Sequence, residues 1–182
     1  LMANGAANQA IRANSKQKCK IGIVENILPC DPLIETEEHI VAAQEAFRHC
    51  NGDILIPLLS GRYTPSRLAE MGDYPPLIQD GDMEQIKQPL DFIGLNIYFP
   101  FTIRHKDREH ESDKGWTFIN WSQGYPTMDC DFIKIGPQAL YWAVRQVSEF
   151  IGGEIPIYIT ENGCAAQDEV QPDGSIWDTD RI

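Results

Sequence analysis

The chain has 182 residues, enough to bury the core of one domain. Its 42% hydrophobic and 23% charged content is ordinary for a globular chain, and no apolar run approaches the ~20 residues that span a bilayer. A formal net charge of −12 argues against a polyanion, since phosphate binding needs clustered Lys and Arg, so neither nucleic acid nor a membrane is expected as partner. The five cysteines, Cys19, Cys30, Cys50, Cys130 and Cys164, are odd in number and widely spaced. With no C-x-x-C pair, they suggest neither a zinc site nor a disulfide framework, and reduced thiols in a cytoplasmic location fit best. His105 and His110 lie in a charged run with Asp107, Glu109 and Glu111, which reads as a solvated loop rather than a metal site. Leu1 is not an initiator Met, no signal peptide is visible, and Asp180-Arg181-Ile182 carries no terminating signal, so both ends look cut.

In chain order, Leu1 to Ala13 reads as a helix with Ala6, Ala7, Ala10 and Ile11 on one face. Lys20 to Leu28 reads as a strand stopped by Pro29. Thr36 is placed to cap the next helix, with Glu37 and Glu38 at the positive end of its dipole. Ile40, Ala43, Gln44 and Phe47 give that helix a buried side, and Asn51-Gly52 is expected to end it. Residues 53 to 88 read as short helical pieces, with a turn and cap at Gln79 to Asp82. Leu90 to Tyr98 is a second strand. Phe99 to Tyr125 is a long aromatic and charged loop, expected to be functional or mobile. Pro137 opens a helix carrying Leu140, Ala143, Val144, Val147 and Ile151 at helical spacing, and Gly152-Gly153 ends it. A third strand begins at Ile155, and Thr179 is placed to begin a further helix.

Each strand-to-strand connection contains a helix, so the strands are expected to be parallel. Three such strands form either a small open α/β sheet or a piece of a barrel, and the pattern alone does not separate these.

The third strand, Pro156-Ile157-Tyr158-Ile159-Thr160-Glu161-Asn162-Gly163, carries the most chemistry. Its consecutive apolar residues suggest burial on both faces. Asn162-Gly163 is expected to turn the chain through positive φ. Glu161 then sits at the C-terminal lip of the strand, where α/β folds build their sites. A solvated strand tip would show the same short pattern. On the second strand Phe92, Gly94, Asn96 and Tyr98 share a face by alternation. If the two strands are neighbours, a Tyr98 hydroxyl donated to Glu161 would stabilise the carboxylate and aim it.

Pro156 to Gly163 resembles the nucleophile strand of the family 1 glycoside hydrolases, which are retaining β-glycosidases on a (β/α)8 TIM barrel. The resemblance implies that Glu161 is the nucleophile that attacks the anomeric carbon, with Tyr98 orienting it and Asn96 beside it binding substrate. Asn96 and Tyr98 match the family's signature on the preceding strand, where Ile97 replaces an outward-facing Tyr. Ile21 to Asn26 resembles the fifth barrel strand, with Asn26 as its polar, substrate-binding end. Glu25 departs from the usual small or apolar residue there and is not embedded in the family's Asn-Glu-Pro triplet. Further matches are Leu59 to Tyr63, Pro137 to Tyr141, Asp173-Gly174 and Asp178 to Arg181. Trp116, Trp121 and Tyr125 fall where such enzymes build the aglycone side, although aromatic residues there could equally pack the loop down.

The resemblance implies that residues 1–182 cover strands five to seven of one catalytic barrel domain. The Asn-Glu-Pro triplet of the acid/base is not in the sequence, so the chain is expected to be inactive alone and to need the remainder of the barrel as partner. Its substrate would be a terminal β-D-glycoside, and no cofactor or metal is implied, because two carboxylates suffice for the reaction. A non-catalytic α/β interaction module derived from a glycosidase, and an enzyme for phosphorylated or thio-linked glycosides, remain as alternatives.

Overall fold

A computed structural model describes residues 1–110, 113–129 and 133–177. Glu111, Cys130, Thr179 and the Asp178 to Arg181 match lie outside the described residues.

Three parallel strands form the central sheet: β1 (Gly22–Asn26), β3 (Phe92–Asn96) and β6 (Ile157–Glu161), in the order β1-β3-β6. Helices fill both crossovers, as the alternation predicts. Between β1 and β3 lie α2 (Glu37–Ser60), α3 (Pro65–Glu70) and α4 (Asp82–Ile86), and between β3 and β6 lies α5 (Gln138–Phe150). The sheet has one helix-covered face. Ile93, Leu95 and Ile97 point into it and are fully buried with Phe47, Leu55, Ala139, Ala143 and Val147. Ile97 is thus outward-facing, as expected of the position that departs from the family pattern.

A second sheet was not expected. β2 (Cys30–Pro32) pairs in parallel with β4 (Phe101–His105), which pairs antiparallel with β5 (Trp116–Phe118). Both β4 and β5 lie in the stretch read as a loop. The charged turn between them hides the period-2 pattern of Phe101, Ile103, Trp116 and Phe118. In three dimensions Phe101, Phe118 and Trp116 form an aromatic ladder, with Phe101–Phe118 and Trp116–Phe118 centroids 6.0 and 5.3 Å apart.

Two helices also differ from expectation. In α1 (Met2–Asn14) the inward residues are Gly5 and Asn8, not the alanine face. A Cβ at Gly5 would lie 1.7 Å from the Gln85 carbonyl oxygen, so only glycine permits this approach to the end of α4. The Asn8 amide donates to the Pro89 carbonyl at 3.0 Å. Ala6, Ala7, Ala10 and Ile11 stay exposed.

Helix α2 runs straight through Asn51-Gly52 and ends where Gly61, at φ +69°, sends its N–H to the Pro57 carbonyl. Asn51 does not cap, because its side chain is engaged elsewhere. It accepts from the Leu28 N–H at 3.0 Å and donates to the Leu28 carbonyl at 3.1 Å and to Phe47 at 3.0 Å. This one side chain pins α2 to the segment between β1 and β2. Thr36 does occupy the N-cap position of α2, although its hydroxyl meets His39 Nδ1 at 3.0 Å rather than a backbone N–H.

The Asn51 clamp makes a direct prediction. Asn51→Ala strips Leu28 of both partners and should cost about 1–3 kcal/mol. Urea unfolding followed by circular dichroism should show a lower midpoint, and an unchanged midpoint would mean that the clamp contributes nothing.

Candidate active site at the C-terminal end of the central sheet

Paired residues of neighbouring strands project to the same face. In β1 and β3, Gly22, Val24 and Asn26 stand beside Phe92, Gly94 and Asn96, on the face away from the helices. Across β3 and β6 the pairs are Ile93 with Ile157, Gly94 with Tyr158 and Leu95 with Ile159. In a regular ladder Thr160 would then pair with Asn96, and Glu161 would follow Ile97 toward the buried helices.

The ladder instead shifts between Leu95 and Asn96, so that Asn96 pairs with Glu161 and Thr160 is the extra residue. This is a β-bulge, a device that re-aims a side chain at the cost of one ladder position. It turns Glu161 onto the open face. Asn26, Asn96 and Glu161 then stand in one row across the ends of the three strands.

The surrounding hydrogen bonds hold this arrangement. The Tyr98 hydroxyl donates to Glu161 Oε2 at 2.5 Å. The Thr160 hydroxyl donates to Asn96 Oδ1 at 2.9 Å, tying the bulged residue to the middle of the row. The Ile97 N–H donates to the Glu161 carbonyl at 2.9 Å, and the Asn162 amide donates to the Ile97 carbonyl at 2.7 Å. Thr160 and Asn162 were missed as positioning residues, because a bulge has no signature in a short β-branched run.

Close packing lines the same face below the row. A Cβ at Gly94 would meet Thr160 Cγ2 and Val24 Cγ2 at 2.8 Å, so glycine lets β1 and β6 side chains meet over the middle strand. Phe92 and Tyr158 contact edge to face at 5.3 Å.

Several expectations need correction here. β6 is not buried on both faces. Tyr158 is 48% and Ile159 49% exposed, because β6 is an edge strand that pairs only with β3 among the described residues. Glu161 is therefore solvent-exposed. Nor do Asn162 and Gly163 use positive φ, and the chain turns instead on the Asn162 side-chain bond to Ile97.

Glu25 pairs with Leu95 and so projects toward the helix-covered face, opposite to Glu161. Burial raises its carboxyl above the usual range, with the chain's amino terminus pulling the other way. Glu25 is thus placed away from any chemistry at Glu161. Trp116 is a core residue of β5. Trp121 and Tyr125 stack on each other at 4.4 Å, and the segment they belong to is joined to the loop after Glu161 by the Asp129 N–H to the Ala165 carbonyl at 3.1 Å. Among the described residues no cluster of His, Cys, Asp and Glu is arranged to hold a metal, and no helix is long and apolar enough to cross a membrane.

The Tyr98–Glu161 bond also moves a titration. Hydrogen bonding to the Glu161 carboxylate, aided by burial and by the negative charge, raises the Tyr98 phenol above the ordinary tyrosine value. The ultraviolet phenolate signal of Tyr98, read as the difference between the chain and Tyr98→Phe, should therefore develop later than that of a free tyrosine. In Glu161→Gln, which removes the anion, it should return toward the ordinary value. Identical curves with and without the Glu161 carboxylate would refute the contact.

The chain matches the family described as Glycosyl hydrolase family 1 over residues 1–182. It is 32% identical over 164 residues to 1,4-beta-D-glucan glucohydrolase of Thermotoga neapolitana, covering 90% of this chain and 37% of that protein. It is 30% identical over 183 residues to Beta-glucosidase A of Thermotoga maritima, covering 100% of this chain and 39% of that protein. The solved family 1 b-glucosidase from Thermotoga maritima in complex with isofagomine lactam superposes with a TM-score of 0.70 at 31% identity. That match covers 98% of this chain and 38% of the other. The chain thus spans 37% and 39% of the length of the two curated relatives. Its parallel strands and helices form part of a TIM barrel, and no closed barrel is present among the described residues.

Proposed function

Because the chain belongs to glycosyl hydrolase family 1, we propose that it is the part of a β-glucosidase-type retaining glycosidase that carries the nucleophile. The observation that supports this most is the bulge that brings Glu161 into a row with Asn96 and Asn26, with the Tyr98 hydroxyl on its Oε2. A carboxylate accepting one strong hydrogen bond at one oxygen keeps the other oxygen for attack.

In the proposed reaction Glu161 attacks the anomeric carbon of a terminal β-D-glycosyl residue. The bond to the aglycone oxygen breaks as a second carboxyl group protonates that oxygen. A glycosyl ester on Glu161 results, and water, deprotonated by the second group, hydrolyses it with net retention. Tyr98 directs the attack, and Asn96 and Asn26 supply polar groups for sugar hydroxyls. Relatives named β-glucosidase, and one bound to isofagomine lactam, support a glycoside as the ligand class.

Retention requires the second carboxyl about 5–5.5 Å from the nucleophile. The open face of the three strands is Gly22, Val24, Asn26, Phe92, Gly94, Asn96, Tyr158 and Thr160 around Glu161, with no other carboxylate among them. Glu25 projects the other way. The acid/base is therefore assigned to the remainder of the barrel, which also covers the exposed edge of β6. On this reading residues 1–182 are one portion of a single catalytic domain.

The test is hydrolysis of an activated aryl β-glucoside by the chain alone and mixed with a polypeptide supplying the other strands. The mixture should be active and the chain alone inactive, and Glu161→Gln should reduce the rate of the mixture by at least about 1,000-fold. A folded mixture in which Glu161→Gln retains full activity would overturn the assignment. A folded mixture with no activity would favour a non-catalytic module.

A further inference from the structure

The Thr160–Asn96 bond decides which end of the Asn96 amide a ligand meets. A carboxamide has one end that only accepts hydrogen bonds and one that only donates them. The Thr160 hydroxyl donates to Asn96 Oδ1 at 2.9 Å, so the accepting end is engaged from the neighbouring strand. The Nδ2 end makes no hydrogen bond among the described residues and stays available at the open face. Charge favours the same orientation. Asn96 pairs with Glu161 across the ladder, and an amide oxygen turned toward that carboxylate would be repelled, whereas the N–H groups are not.

Both partners of the bond are held. The Asn96 carbonyl accepts from the Ile27 N–H at 3.3 Å on the β1 side, and Asn96 pairs with Glu161 on the β6 side. Thr160 rests over Gly94, where a Cβ would lie 2.8 Å from its Cγ2 and 3.1 Å from its Oγ1. The glycine therefore leaves the space that the bulged threonine occupies, and the bulge brings its hydroxyl beside the amide. Asn26, at the β1 end of the row, differs. It is exposed, and no hydrogen bond fixes its amide among the described residues, so either of its ends can face a ligand.

Resting on the glycosidase reading of this site, we propose that Thr160 is a positioning residue that makes Asn96 a hydrogen-bond donor to the sugar. With Oδ1 taken by the Thr160 hydroxyl, Asn96 gives an N–H from Nδ2 to an oxygen of the glycone. Thr160 acts through Asn96, so the cost of removing its hydroxyl depends on the amide being present. A purely structural threonine would show the same cost whether or not Asn96 were there.

The experiment has two arms. In the first, the folded full chain carrying isotope-labelled asparagine is compared by NMR with Thr160→Val, which keeps the branched shape without the hydroxyl, and with Thr160→Ser, which keeps the hydroxyl. The side-chain amide signals of Asn96 are assigned by their loss in Asn96→Ala. In Thr160→Val the nitrogen and both protons should move together, because loss of the bond to Oδ1 changes the polarisation of the whole amide. They should return toward their original positions in Thr160→Ser, and the Asn26 signals should stay still throughout. Unmoved Asn96 signals would overturn the proposal. So would a shift confined to one of the two protons, which would place Nδ2 rather than Oδ1 against Thr160.

In the second arm the chain, mixed with a polypeptide supplying the other strands, hydrolyses an activated aryl β-glucoside. Thr160→Val should lower kcat/KM about tenfold when Asn96 is present, and less than about twofold when Asn96 is already alanine. Thr160→Ser should restore most of the loss. Equal losses in both backgrounds, in an active mixture, would overturn this proposal and leave the glycosidase reading standing. A folded, unsubstituted mixture without activity would overturn that reading and this proposal with it.

Discussion

The middle strand β3 imposes the constraint on which the rest depends. It is hydrogen-bonded on both edges, so its side-chain alternation is transmitted to β1 and β6 through the pairing register. Ile93, Leu95 and Ile97 commit one face to the helices with no exposure to spare. That leaves Gly94, Asn96 and Tyr98 to define the other face. Asn26, Asn96 and Tyr98 take their direction from this division. Asn26 is on the open face because it pairs with Asn96, and Glu25 is off it because it pairs with Leu95. A single change of register would exchange core and site, and the apolar burial at stake makes that slip costly.

Glu161 belongs with the site only because β6 breaks the rule once. The bulge at Thr160 costs a ladder position, which is offset locally by the Thr160–Asn96 and Asn162–Ile97 bonds. Strand geometry and chemistry are joined at this point. The residue that absorbs the irregularity also fixes the neighbouring amide, and the residue after the carboxylate anchors the exit of the strand. The Tyr98 hydroxyl then has a fixed target. Behind the sheet, Asn51 links α2 to Leu28 in the segment between β1 and β2, and Gln146 links α5 to the Cys30 peptide at the start of β2.

Much of this was legible in the residues. Apolar periodicity in α5 and the run from Phe92 to Ile97 placed the crossover helix and the middle strand. The shared face of Asn96 and Tyr98 followed from alternation alone. What could not be read depended on distant partners. Asn51-Gly52 has the composition of a helix end, yet tertiary bonds to Leu28 carry α2 through it. Phe101 to Phe118 alternates only after its charged turn is set aside. Gly5 and Asn8 are inward for reasons that lie in Gln85 and Pro89. The exposure of β6 reflects the absence, among the described residues, of a neighbour on its outer edge, which apolar composition does not report.

On the proposed function, the bulge delivers Glu161 as the group that bonds to sugar carbon. This assignment is tested most directly by trapping that bond. A 2-deoxy-2-fluoro-β-glucoside with a good leaving group slows both steps by destabilising the oxocarbenium-like transition state, while the leaving group keeps the first step usable. The chain, assembled with the remaining strands and treated with this reagent, should carry one fluoroglycosyl group on the peptide containing Glu161. A trapped sugar on any other carboxylate, or steady turnover of ordinary substrate with Glu161 never labelled, would contradict the account.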